Sequence, residues 1–470
     1  MGINSSKTKT IAEILVNVKL NKLKDSGQII KRNVEFIEQI LNKLDETKEN
    51  HKYISLSCIY GAFLGDSIGS ACEFLKASNQ NYKKIFTSGN IFKPGEITDD
   101  SEMALSAAFA YIDSLNNDPS RIQDYLYFYF SVWRYSRPKD IGKATSTALS
   151  SWEGDDIKDI KFDPQEVTKS NWNTLANGAL MRISTFIVFY YYSNLGKLYT
   201  IIPNYFSQNN NNDNTNDSKD VDLNEEICDL YLDIYKELFK NVQITHPNPE
   251  NSIACSIFTL MVLVGMITKD AVKVYTIFEQ ISSSKKFLEI HNKDLINYAN
   301  GCQKKYTKII SDFKTKLEMS PVYERMGYYM HAFKYTIYFL YKYPDMAKNN
   351  EKDLYYKIMC EICNSGGDTD TNCAIVGQMI GPLIGYKNFK KDLFSTFIKY
   401  LPSRRTQFNS AFAYIYVNYL EQKILNKGSI TPKEKEKEKK EEGFNYTAYN
   451  MIFEFLNNNY GSQSNKILDK

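Results

Sequence analysis

The sequence predicts an all-α fold, a compact multi-helix domain that occupies most of the chain. Three observations lead there. From Tyr53 to about Leu425, apolar residues recur at helical spacing and alternating strand patterns are scarce. Two glycine rows, Gly61-Gly65-Gly69 and Gly377-Gly381-Gly385, step every four residues, the spacing that keeps residues on one helix face. A chain of 470 residues that is 43% hydrophobic also has enough apolar material for a sizeable core.

Residues 1–50 read as a polar, lysine-rich extension, with Ile37, Ile40, Leu41 and Leu44 at the spacing of one amphipathic helix. The chain opens Met1-Gly2-Ile3-Asn4-Ser5-Ser6-Lys7, which fits the N-myristoylation pattern and makes Gly2 the candidate lipidation site; a chance match is the competing reading. One myristoyl chain would give only reversible membrane association. Residues 51–425 read as one domain. Within it, 207–222 is asparagine-rich and is expected to be a disordered surface insertion. Residues 427–443 contain alternating lysine and glutamate, a solvated linker or a short charged helix. Residues 444–470 form a tail in which Tyr446–Leu456 has helical character.

The charge balance excludes one class of partner. With 58 basic and 55 acidic residues the net charge is +3, and nucleic-acid binding usually needs a strongly basic surface. Eight scattered cysteines do not make a disulfide scaffold in a chain this long, so a reducing, cytoplasmic setting is expected. Cys360 and Cys363 form a single C-x-x-C pair; without a second half it reads as buried thiols on a helix rather than a zinc or redox motif. No secretory h-region is visible. The longest apolar run, Ser256 to Thr268, is shorter than a membrane span.

Chemistry concentrates in two places. Thr98-Asp99-Asp100 precedes Met103, Ala104, Ala107, Ala108 and Tyr111 at helical spacing, so the acid pair stands at a helix start. Capping of free backbone N–H groups accounts for one aspartate there and less well for a second. Asp368-Thr369-Asp370-Thr371 follows a Gly-Gly turn and opens another apolar helical run. Carboxylates with flanking hydroxyls suit hard cations such as Mg²⁺ or Mn²⁺, and four gathered acids would repel one another without one. The glycine rows offer the means of gathering them, by letting two helices approach closely. Two separate tight packings are the alternative, and Pro382 is expected to break or bend the second helix.

In order along the chain, the motifs resemble those of the ADP-ribosylglycohydrolase family, which includes the dinitrogenase reductase-activating glycohydrolases. Gly61-Ala62-Phe63-Leu64-Gly65-Asp66-Ser67-Ile68-Gly69 and Glu73-Phe74 are similar to the family's opening helix and its exit. Gly95 to Met103 resembles its first metal motif and Gly366 to Asn372 its second. Pro138-Lys139-Asp140-Ile141-Gly142, Asn177 to Arg182 and Thr245-His246-Pro247 resemble its substrate-side segments. The resemblance spans about residues 53 to 400. It implies an all-α fold with a binuclear magnesium cleft, ligated by Thr98, Asp99, Asp100, Asp368, Asp370 and Thr371, with Mn²⁺ as the substitute ion. Glu73 would lie on a loop over the metals, and Asn177, Gly178, Met181, Arg182 and His246 would line the ADP-ribose pocket. One departure is Leu175-Ala176 before Asn177, where the family commonly has a glycine.

The reaction implied is hydrolysis at the anomeric carbon of ADP-ribose linked to a modified protein or a small conjugate, through an oxocarbenium-like state. Asp100, Glu73 and Asp368 are the catalytic candidates, with Glu73 or Asp100 moving the proton. For Arg182, a structural ion pair competes with phosphate binding. A catalytically silent binding protein or a structural protein of the same fold is the alternative. A phosphatase built on Asp368 and Asp370 is disfavoured because Asn364-Ser365-Gly366-Gly367 is no strand and residue 372 is Asn.

Overall fold

The computed structural model describes residues 38, 41–44, 50–76, 91–150, 162–210, 222–319, 321–322, 324–348, 351–400 and 408–425. Its helices are α1 (His51–Gly69), α2 (Asp99–Asn116), α3 (Ile122–Tyr135), α4 (Lys143–Ala148), α5 (Pro164–Asn171), α6 (Ser184–Ser193), α7 (Leu195–Asn210), α8 (Glu225–Val242), α9 (Pro249–Thr268), α10 (Ala271–Ser283), α11 (Lys285–Glu289), α12 (Ile296–Thr315), α13 (Tyr329–Lys342), α14 (Leu354–Ser365), α15 (Thr369–Ile384), α16 (Lys391–Lys399) and α17 (Phe412–Leu420). Among the described residues there is no strand, and the β pairing is one isolated bridge between Ala176 and Tyr328. The expected all-α class is the observed one.

Local chemistry sets many of the helix starts. Asn50, Asp163, Asn224, Asn248 and Asp270 each cap the helix that follows by accepting a backbone N–H. Proline occupies the first turn of α5 and α9, where its missing N–H costs nothing.

The centre of the fold is the crossing of α1 over α15. A Cβ on Gly61 would collide with the Gly377 carbonyl, one on Gly65 would stand 2.7 Å from the Cys373 carbonyl carbon, and one on Gly381 would strike the Ser57 carbonyl. The two backbones therefore touch directly, as the glycine rows predicted. Two details differ. Gly385 meets α1 through a side chain rather than backbone: a Cβ there would strike Tyr53, and Gly385 ends α15 with φ of 82°, a conformation that favours glycine. Pro382 does not break the helix, which continues to Ile384. The Gln378 carbonyl, deprived of its helical donor by Pro382, instead accepts the Cys58 thiol of α1 at 3.5 Å.

α9 is long and apolar enough to cross a membrane, because its N-terminal turns extend the apolar run read from the sequence, yet 89% of that window is buried inside the fold. Leu41, in the N-terminal extension, is buried, and its carbonyl accepts the Tyr386 hydroxyl at 2.6 Å. Glu38 meets Lys399 at 2.9 Å. That stretch therefore joins the domain across the boundary at residue 50. Of the expected insertion, Ser207–Asn210 continue α7 and 211–221 lie outside the described residues, as do Gly2, residues 427–443 and residues 444–470.

Candidate functional site

The site is built where the end of α1 meets the starts of α2 and α15. Asp66, fully buried near the end of α1, accepts the backbone N–H of Thr98 at 3.0 Å and of Ser101 at 3.2 Å, and also the Ser101 hydroxyl. Thr98 makes no side-chain cap of its own. A carboxylate from another helix thus serves the first turn of α2, which leaves Asp99 and Asp100 unused for capping. α15 follows the same logic. Asp368 makes no cap bond to its own helix, and its Oδ2 accepts the Asn177 amide at 2.8 Å. Asp370 accepts the Thr371 N–H at 2.9 Å within the first turn of α15, so local backbone bonding accounts for one of the four acids and not for the pairs.

The two pairs converge. The Thr98 and Thr371 hydroxyls both donate to Asp100 Oδ2 at 3.2 Å, one from each helix start. Thr369 donates to the Gly69 carbonyl at 2.7 Å, fastening the α15 start to the α1 end. Beyond Gly69 the chain turns, and Phe74 N–H bonds to the Gly367 carbonyl at 2.7 Å while Gly367 N–H returns to Leu75 at 3.2 Å. This short ladder holds half-buried Glu73 beside Asp368 and Asp370.

Two acidic groups result, Asp66 with Asp100 and Asp370, and Glu73 with Asp368 and Asp370; within each, carboxylate oxygens lie within 4.8 Å of one another. Asp370 belongs to both. Burial and mutual repulsion push Asp99, Asp100 and Asp370 well above the usual carboxylate range. Glu73 rises to about 8, through burial and then the charges of Asp140, Asp368 and Asp66. Asp66 rises to about 6 by burial, restrained by its bonds to Ser101 and Thr98. No lysine or arginine is among the main influences on these acids. Asp100 Oδ1 is buried with no hydrogen-bond partner. An unpartnered carboxyl oxygen in a cluster of acids that resist ionising together fits a site for a divalent cation.

Segments 177–182 and 245–246 lie beside this cluster. Asn177 N–H bonds to the Gly327 carbonyl at 2.8 Å, so segment 325–328 walls the site next to Asp368. A Cβ on Gly178 would press on the His246 ring. His246 Nδ1 pairs with the Thr245 hydroxyl at 2.7 Å, and its Nε2 is buried without a partner. Burial and the Arg182 charge lower the His246 pKa to about 3, so the ring is neutral.

The family profile of ADP-ribosylglycohydrolases matches residues 49–204 and 230–411. The chain belongs to the ADP-ribosylglycohydrolase family. The gap in the match brackets the asparagine-rich segment that the sequence set apart. A relative from Acanthamoeba polyphaga mimivirus, named "Putative ADP-ribosyl glycohydrolase", is 25% identical over 345 residues, covering 70% of this chain and 86% of its own. A solved structure titled "ADP-ribosylglycohydrolase-related protein complex" aligns with 77% of this chain and 97% of its own, at 16% identity and a TM-score of 0.48.

Within this glycohydrolase-family chain, Thr98, Asp99, Asp100, Asp368, Asp370, Thr371 and Glu73 lie together at the ends of α1, α2 and α15. Asn177 reaches the cluster directly. Gly178 and His246 sit behind it, and Met181 is buried with its N–H on the Asn177 carbonyl at 3.0 Å. Arg182 lies behind the site, with no exposed surface. It donates to Asn241 Oδ1 and the Asn241 carbonyl at 3.1 Å, and to the Gly178 carbonyl and Thr245 hydroxyl at 2.8 Å, and it stacks on Phe130. None of these partners is a carboxylate, so Arg182 makes no ion pair here. It props Gly178 and Thr245 in place. Sequence reasoning missed Asp66 and undervalued Asp140. Both lay inside the quoted motifs, Asp66 directly after Gly65 in the first glycine row.

Proposed function

We propose that this chain hydrolyses the glycosidic bond between ADP-ribose and a modified protein side chain or small ADP-ribosyl conjugate, using two Mg²⁺ ions, replaceable by Mn²⁺. The observation that carries the reading is the unpartnered, buried Oδ1 of Asp100 amid Asp66, Asp99, Asp368 and Asp370. Bound cations would neutralise this cluster and supply a template for the ribose hydroxyls and a water of lowered pKa. Asp66, Asp100, Glu73, Asp368 and Asp370 would hold them, with Asp99 and the Thr98 and Thr371 hydroxyls completing the wall.

The chain's own groups divide the remaining work. Asn177 orients Asp368 through the 2.8 Å hydrogen bond from its amide. Glu73, half-buried and with a pKa near 8 before a cation binds, is suited to move a proton on the open side of the cluster. His246, neutral and buried behind Gly178, would support the segment next to Asn177 rather than touch the ligand itself.

The deciding assay is release of ADP-ribose from arginine-linked and serine-linked substrates, with Mg²⁺ and with chelator, beside an Asp368→Ala/Asp370→Ala variant. Release that needs the metal and vanishes in the variant supports the hydrolase and names the linkage. ADP-ribose binding without release from either substrate would favour a silent binding protein of the same fold.

A further inference from the structure

Two segments pair beside the acidic cluster. Asn177 N–H bonds to the Gly327 carbonyl at 2.8 Å and Tyr329 N–H to the Leu175 carbonyl at 3.2 Å, with Ala176 and Tyr328 as the isolated bridge between them. Both halves touch Asp368: the Asn177 amide donates to its Oδ2 at 2.8 Å, and a Cβ on Gly327 would stand 3.4 Å from the same oxygen. So short a pairing is not stable by itself. The first turn of α9 holds it from both sides.

Asn248 caps α9 by accepting the Glu250 N–H at 2.9 Å, and its amide donates to the Trp172 carbonyl at 2.8 Å. Asn251 donates to the Thr174 carbonyl at 2.9 Å. Asn171 reaches the other way, to the Thr245 carbonyl at 2.9 Å. Three asparagine amides thus fasten residues 171–174 along 245–251. On the other half, the Glu250 carboxylate accepts the Tyr329 hydroxyl at 2.7 Å and pairs with Lys305 of α12. Lys305 in turn lies 5.8 Å from the centre of the Tyr328 ring.

Glu250 and Asn251 are both buried, and a buried amide or carboxylate is costly unless it is bonded. The helix start itself needs one capping side chain, which Asn248 provides. The side-chain bonds of Glu250 and Asn251 leave α9 instead, one to each half of the pairing. Hydrogen bonds therefore run without a break from the α9 start, through Thr174 and Tyr329, to Asn177 and Asp368.

We propose that Glu250 and Asn251 are positioning residues for the ligand-side wall: they hold Tyr329 and Thr174 so that the paired segments 174–177 and 327–329 present Asn177 to Asp368. Neither residue touches a ligand. Releasing either half lets the wall drift, and a displacement on the order of 1 Å is enough to weaken an oriented contact. The effect on ligand binding rests on the reading of this wall as the ADP-ribose side; the positioning itself does not.

The test uses the full chain with Asn251→Ala, Glu250→Ala, Glu250→Gln and Tyr329→Phe. The last removes a single hydroxyl and covers the case in which Glu250→Ala, which strands Lys305, does not fold. Hydrogen exchange is read at the Asn177 and Tyr329 amides, the two donors that close the wall, and ADP-ribose affinity by calorimetry with Mn²⁺ present. In Asn251→Ala, Glu250→Ala and Tyr329→Phe both amides should exchange about tenfold faster, the scale of one buried hydrogen bond, and ADP-ribose should bind about tenfold more weakly. Glu250→Gln keeps an acceptor for the Tyr329 hydroxyl and should restore both towards the parent. Asn194→Ala, which deletes an amide bonded to the Tyr190 carbonyl at 3.0 Å, should change neither. A lower melting temperature with unchanged exchange at the two amides overturns the proposal, since the residues would then only stabilise α9. Faster exchange with unchanged ADP-ribose affinity overturns its consequence for the ligand. If the parent binds no ADP-ribose, the reading of the wall fails and hydrogen exchange still decides the positioning.

Discussion

Asp66 caps a helix to which it does not belong: from α1 its carboxylate accepts the Ser101 backbone N–H in the first turn of α2 at 3.2 Å, and that of Thr98 just before the helix at 3.0 Å. This arrangement frees Asp99 and Asp100 to face the second acid pair. Replacing Asp66 with alanine should uncap α2, costing about 2 kcal/mol in urea unfolding. Hydrogen exchange at Thr98 and Ser101 should quicken together. Unchanged protection at both amides would mean that the cap is supplied from elsewhere.

The α1–α15 crossing should tolerate no added side chain. Gly61→Ala and Gly377→Ala each place a methyl group against facing backbone and are expected to destabilise by about 3 kcal/mol or more. Gly301, inside α12 with open space around it, is the contrast: Gly301→Ala should stabilise by about 0.5 kcal/mol. Thermal melts of the three variants check both signs.

Arg182 should act on stability before anything else. Arg182→Met strands the Gly178 carbonyl, Thr245 and Asn241 acceptors in the interior, with an expected loss of about 3 kcal/mol. A variant as stable as the parent would show that the guanidinium is not a structural post.

Stability should carry a signature of His246. Its folded pKa, lowered to about 3 from 6.5, means that the unfolded chain takes up a proton that the folded chain refuses. The contribution is complete above pH 6.5 and is lost as pH falls toward 3. Between pH 6.5 and 4.5 the parent should therefore lose up to about 1.4 kcal/mol per pH unit more than His246→Gln. Parallel unfolding curves for the two proteins would contradict a buried neutral ring.

Much of this arrangement was legible in the sequence, and the limits have physical reasons. The glycine rows announced a backbone-to-backbone crossing because few other uses of glycine repeat every four residues. The acid pairs announced helix starts because apolar periodicity begins just after them. Asp66 was obscured because an acid inside an apolar helix shows its partner only in three dimensions. The partners of Arg182 were hidden for the same reason: its acceptors, at 178, 241 and 245, come from different segments and include backbone carbonyls, which no pattern of side chains reveals. Pro382 was expected to break or bend α15; the helix runs on past it, and nothing local indicated that Cys58 would supply the missing donor.

The central claim is that the buried acids are held together by divalent cations. Calorimetric titration of chelator-stripped protein with Mg²⁺ and Mn²⁺, beside Asp100→Asn and Asp370→Asn, tests it most directly. The account predicts saturable binding to the parent, a rise in its melting temperature on saturation, and loss of both in the two variants. No binding heat and no change in melting temperature for the parent would contradict it, and would mean that the cluster relieves its repulsion by holding protons instead.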